Sequence, residues 1–159
     1  MSKFMLKYRK IVTGILIIAV IGTILFIWSN SFVVGKASNI ESQKVADVIQ
    51  PIVDPKQEIH KESFMDFIRK CAHFTEFMVL GAELILLKLS SKKPQIFTAT
   101  FLALSVAVID EFIQSFSDRT DSVSDILLDF GGAVFGMAVC VGIYFIILFI
   151  LKKLDREKS

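Results

Sequence analysis

Residues 110–136 read DEFIQSFSDRTDSVSDILLDFGGAVFG. The stretch lies between two strongly apolar runs, yet it carries Asp110, Glu111, Gln114, Asp118, Arg119, Asp121, Asp125 and Asp129. Ionisable side chains in or beside lipid-soluble helices are costly. They face a protein interior or a water-filled cavity and mark candidate functional sites. The fold therefore turns on whether the flanking runs cross a bilayer.

Composition says that they do. The 159 residues are 53% hydrophobic with fifteen Phe, an apolar excess over a soluble domain that points to a membrane protein. The net charge of +2 decides little, because what matters is that Lys and Arg lie almost entirely outside the apolar runs. No basic stripe or nucleic-acid fold signature is present, so nucleic acid is set aside as a partner. Cys71 and Cys140 fall at different depths of separate helices, roughly 20 Å apart at about 1.5 Å per residue, too far for a disulfide. They read as small apolar fillers.

The pattern predicts an all-α integral membrane protein, a four-transmembrane-helix bundle. A basic tail, residues 1–10, precedes a membrane domain over residues 11–151, and a second basic tail follows at 152–159. The spans are expected at about residues 11–28, 67–87, 95–116 and 123–151, each near the length a bilayer requires. The first is read as an uncleaved anchor, because no small-x-small site follows it. Residues 29–66 form a polar outer loop, within which Ile40, Val45, Val48, Ile49, Ile52 and Val53 recur at helical spacing. Ser38 or Asn39 is the expected N-cap and Pro51 stands near the end, predicting an amphipathic helix that lies on the membrane surface or caps the bundle. Both tails and the turn holding Lys88, Lys92 and Lys93 are basic, so the termini are expected in the cytoplasm and the amphipathic helix outside.

That orientation gathers the ionisable residues at one surface. On the second span Lys70, His73, Glu76 and Phe77 share a helix face; the third offers Asp110, Glu111 and Gln114. On the fourth, Asp121, Asp125, Asp129, Gly132 and Gly136 form one stripe, with the glycine pair allowing a neighbouring backbone to approach. Asp118, Asp121 and Arg69 can be explained as helix caps or snorkelling ends. Glu111 and Asp129 lie deeper, where an unpaired charge costs at least about 2.5 kcal/mol, so they need partners.

The acids outnumber Lys70, Arg119 and a protonated His73, leaving a surplus to be met by protons, a divalent cation or a cationic ligand. Candidate metal ligands are His73, Glu76, Glu111, Asp125 and Asp129, although no established zinc motif is present. Candidate substrate-binding residues are Lys70, His73, Glu76, Asp110, Glu111, Gln114, Arg119, Asp125 and Asp129, with Glu111, Asp125 and His73 as catalytic candidates if a reaction occurs. Lys70, His73 and Arg119 suit a phosphate or pyrophosphate headgroup. Glu83, seven residues after Glu76, is expected to be buried, protonated and hydrogen-bonded, with a proton relay as the alternative.

Lys70-x-x-His73-x-x-Glu76-Phe77, Asp110-Glu111-x-x-Gln114, Arg119 and Asp125-x-x-x-Asp129-x-x-Gly132 follow in that order through four spans. In this the chain resembles the VanZ-like family of small bacterial membrane proteins, named for an accessory protein of teicoplanin resistance. It differs from the family pattern at Phe77, where Tyr is frequent, and at Asp129, where Asn is frequent. The resemblance implies a multi-pass protein of the bacterial cytoplasmic membrane acting in the cell envelope to lower susceptibility to lipophilic glycopeptide antibiotics. The expected partners are the bilayer and an amphiphilic small molecule or envelope lipid; an enzyme acting on a lipid-linked phosphate or cell-wall precursor, a small transporter, and an oligomeric assembly partner remain alternatives.

Overall fold

The computed structural model describes residues 3–32, 35–56, 58–90, 96–116 and 122–157. The described residues form helices α1 (Lys3–Ser31), α2 (Gly35–Val53), α3 (Lys61–Leu89), α4 (Ile96–Gln114) and α5 (Val123–Glu157). Asp118, Arg119, Asp121, Lys92 and Lys93, all used in the sequence reading, lie outside the described residues.

Three helices are long and apolar enough to cross a membrane: Tyr8–Ser31 in α1, Ile96–Gln114 in α4 and Val123–Leu154 in α5. The expected second span, α3, is not among them. Asp66, Arg69, Lys70, Glu76, Glu83 and Lys88 punctuate its length. It instead supplies bulky buried side chains to the core, with Phe77, Leu80, Leu84 and Ile85 packed against Val20 and Ile27 of α1, Ala99 and Ala103 of α4, and Ala133 and Met137 of α5.

Several boundaries move. α3 begins at Lys61, six residues before the expected span, because Phe64 is already buried and Asp66 pairs with Arg69 and Lys70 along one face. α2 begins at Gly35, so Ser38 and Asn39 lie inside the helix rather than capping it, and Pro51 sits in its last turn. α5 continues through the basic tail to Glu157. α2 packs on α3 through Lys61 Nζ to Asp47 Oδ1 (2.6 Å) and Gln50 Nε2 donating to the Ile59 carbonyl (2.8 Å). The chain turns between them where the Asp54 carboxylate accepts from the Glu58 and Ile59 amides. Most of the apolar face of α2 remains exposed, including Val48, Ile52 and Val53.

The most extensive helix pair is α3 with α5. A Cβ at Gly132 would run into the Phe74 carbonyl, one at Gly136 into the Met78 carbonyl, and one at Gly81 into the Ala133 carbonyl. A four-residue step on α5 thus matches a four-residue step on α3 in the same direction, so the two helices run parallel, backbone on backbone. The sequence-predicted glycine pair is half of this contact; Gly81 is the other half. Gly136→Ala should cost about 1–3 kcal/mol through overpacking, read as a lowered unfolding temperature of the purified protein in detergent. Gly131→Ala, where the added methyl meets nothing within 4 Å, should leave it unchanged.

Candidate functional site

Parallel packing of α3 and α5 puts their N-terminal turns side by side, and the C-terminal turns of α1 and α4 close the same end of the bundle. At that end Asp110, Glu111, Gln114 and Asp129 are buried polar side chains, joined by Ser31 from α1. Asp110 is fully buried and links the helices. Its Oδ1 accepts from Ser31 Oγ at 2.6 Å, its Oδ2 accepts from Gln114 Nε2 at 2.7 Å, and His73 Nδ1 stands 3.9 Å from Oδ2. Glu76 Oε1 accepts from Asn30 Nδ2 at 3.0 Å, while its Oε2 lies 4.0 Å from His73 Nδ1.

Glu111 works differently. Its Oε1 accepts from the Ser122 backbone amide at 2.6 Å, tying the end of α4 to the start of α5. Ser122 in turn accepts from the Ser124 amide through Oγ, so Ser122 is the N-cap of α5. Asp125 is free of capping duty and faces Lys70, whose Nζ stands 3.7 Å from Asp125 Oδ1 and 3.3 Å from Asp66 Oδ2. Arg69 also pairs with Asp66. These outer pairs are half-exposed and contribute at most about 1 kcal/mol each.

Of the site residues expected from sequence, the structure gathers Lys70, His73, Glu76, Asp110, Glu111, Gln114, Asp125 and Asp129 at this end of the bundle. Arg119 lies outside the described residues. Among the expected metal-ligand candidates, His73 and Asp129 have donor atoms grouped with Asp110, which was expected only as a substrate contact; Glu76, Glu111 and Asp125 are not in that group. Sequence reasoning missed Asn30 and Ser31. Their signal was the polar Ser-Asn-Ser ending the first apolar run, at the same predicted depth as the other polar groups. Asp66, read as loop, is the anchor for both neighbouring cations.

Two cavities adjoin the cluster. One of about 20 Å³ is bounded by Arg69, Lys70, His73, Gln114, Asp125, Leu128 and Asp129, room for one water or ion and no more. The other, about 730 Å³, is an apolar groove between α1 and α3 lined by Gly22, Phe26, Ile68, Ala72 and Val79, with Cys71, Glu76 and Glu83 among its few polar groups. The buried Oε2 of Glu83 has no hydrogen-bond partner among the described residues, in place of the bonded carboxyl expected.

Ser31→Ala should leave an Asp110 oxygen short of a buried hydrogen bond, at a cost of about 1–3 kcal/mol, visible as reduced thermal stability in detergent. Ser29→Ala, which removes only a bond to the Phe26 carbonyl on the exposed side of α1, is the neutral comparison.

None of the curated proteins compared and none of the solved structures matches this chain. The family comparison carries the assignment: the polar site residues of α3, α4 and α5 lie within residues 14–149, which match the VanZ/LLP1 model, and the chain belongs to that family.

Proposed function

We propose that this protein is a four-span component of the bacterial cytoplasmic membrane that binds the acyl portion of an amphiphile in the groove between α1 and α3. Its role is to lower susceptibility to lipophilic glycopeptides of the teicoplanin type. What carries the reading is a groove of about 730 Å³ with apolar walls and Glu76 in its lining, a residue that also borders the buried polar cluster. That size and lining suit an acyl chain with a polar head. The 20 Å³ polar cavity is too small for any organic headgroup, so the amphiphile sits beside the cluster rather than in it.

Topology supports the membrane placement. α3 runs parallel to α5, which is long and apolar enough to cross, and its core residues are covered by α1, α4 and α5; Asp66, Arg69, Lys70, His73 and Glu76 lie toward the shared end. With both basic tails in the cytoplasm, the polar end faces outward and the exposed apolar side of α2 rests on the outer surface. A reaction on a lipid-linked phosphate draws less support, because Lys70, one of its expected phosphate contacts, is engaged by Asp66 and Asp125.

The groove can be filled. Gly22 has open space around it, so Gly22→Leu should enter the groove without disturbing the fold. In a susceptible host it should abolish protection against teicoplanin at normal membrane levels of the protein. In vitro, a tenfold loss of affinity for an acylated glycopeptide, about 1.4 kcal/mol, is the expected counterpart. Cys71 is exposed in the groove. In a Cys140→Ala background its alkylation by a lipophilic maleimide should slow when teicoplanin is present, and equal rates with and without teicoplanin would refute binding there.

A further inference from the structure

We propose that His73, Asp110 and Asp129 hold one divalent transition-metal ion. The three residues come from α3, α4 and α5, and each presents a ligand atom within 4.8 Å of the other two. His73 Nδ1 and Asp110 Oδ2 are 3.9 Å apart. With metal–ligand bonds of about 2.0–2.2 Å, two ligands of one ion are separated by at most about 4.4 Å. The imidazole and the Asp110 carboxylate are already inside that limit, and a small side-chain rotation brings in Asp129.

A second observation points to an occupant. Asp129 is 2% exposed, and its Oδ1 has no hydrogen-bond partner among the described residues. It borders, with His73, the cavity of about 20 Å³, a volume that fits an ion and little else. A buried carboxylate oxygen left unpaired is costly, and Asp129 also feels the negative charges of Asp110, Glu111, Asp125 and Glu76. Arg69 and Lys70 border the same cavity, but their charges are directed to Asp66 and Asp125. A cation between Asp110 and Asp129 meets the remaining demand directly.

The site has the outer support that metal ligands need. Ser31 and Gln114 donate to the two oxygens of Asp110 and set its plane, with Oδ2 facing His73 Nδ1 at 3.9 Å. One imidazole nitrogen with two carboxylate oxygens favours a borderline ion, zinc or manganese, over the all-oxygen shells of calcium and magnesium. Such an ion ties the three helices together at the polar end of the bundle. This assignment stands apart from the amphiphile reading, since its readouts involve metal alone.

The protein, purified in lipid nanodiscs and stripped with chelator, should bind one equivalent of Zn²⁺ in equilibrium dialysis and unfold at higher temperature with it. His73→Gln and Asp129→Asn should each weaken binding at least about tenfold. His60→Ala, which removes the other histidine of the chain, should not. Because a site variant can fail for reasons of folding, Co²⁺ added to the wild-type protein provides an independent signal: visible bands of mixed nitrogen and oxygen ligation are expected. Substoichiometric binding of both Zn²⁺ and Mn²⁺, a Co²⁺ spectrum identical to the aqueous ion, or full Zn²⁺ affinity in folded His73→Gln would each overturn the assignment. Displacement of Zn²⁺ by an equal concentration of Ca²⁺ or Mg²⁺ would overturn the choice of a transition metal.

Discussion

The contact on which the molecule depends is the approach of α3 to α5 backbone on backbone, across Gly81, Gly132 and Gly136. Helices in lipid gain little from hydrophobic exclusion, because the tails around them are as apolar as leucine; what holds them is close packing and polar contact. The glycines provide the first. They also set the register. With Gly132 seated at Phe74, Asp129 comes to the level of His73, and Asp125 meets Lys70 a further turn toward the N-termini. A slip by one turn would scatter the cluster.

This register explains why α3 can be so polar. Taken alone, a helix with charges along its length is a poor membrane element, and by apolarity it does not qualify as one. Packed against α5, it turns Phe77, Leu80, Leu84 and Ile85 into the core and gives its polar groups partners: Asn30 for Glu76, Asp125 for Lys70, Asp110 beside His73. Burial of polar groups is tolerable when they are bonded, and most of these are. Asp129 Oδ1 and Glu83 Oε2 are among the buried atoms without a hydrogen bond to the described residues, one beside the small polar cavity and one on the apolar groove.

The two cavities divide the chemistry. A polar space of about 20 Å³ and an apolar one of about 730 Å³ cannot serve the same ligand, and Glu76 lies between them. Among the described residues, Glu76 is where the groove meets the polar cluster. Lys70, grouped from sequence with His73 and Arg119 as a phosphate contact, and Arg69, read as a snorkelling end, pair with Asp66 and Asp125 at the rim.

The helical class, the apolar runs and the residue types of the polar site were legible in the sequence, because burial in lipid demands long apolar stretches and makes every charge within them conspicuous. Helical spacing also placed Asp125, Asp129, Gly132 and Gly136 on one face, since that periodicity is local. Tertiary structure decided the rest. Which helix the glycines meet, that Asp110 rather than Glu76 joins His73 and Asp129, and that Asn30 and Ser31 complete the cluster all depend on register between helices distant in sequence. Glu111 shows the limit most plainly: its depth was readable, but its use as an acceptor for the Ser122 amide was not. A helical period specifies the face a residue occupies; only packing specifies what that face meets.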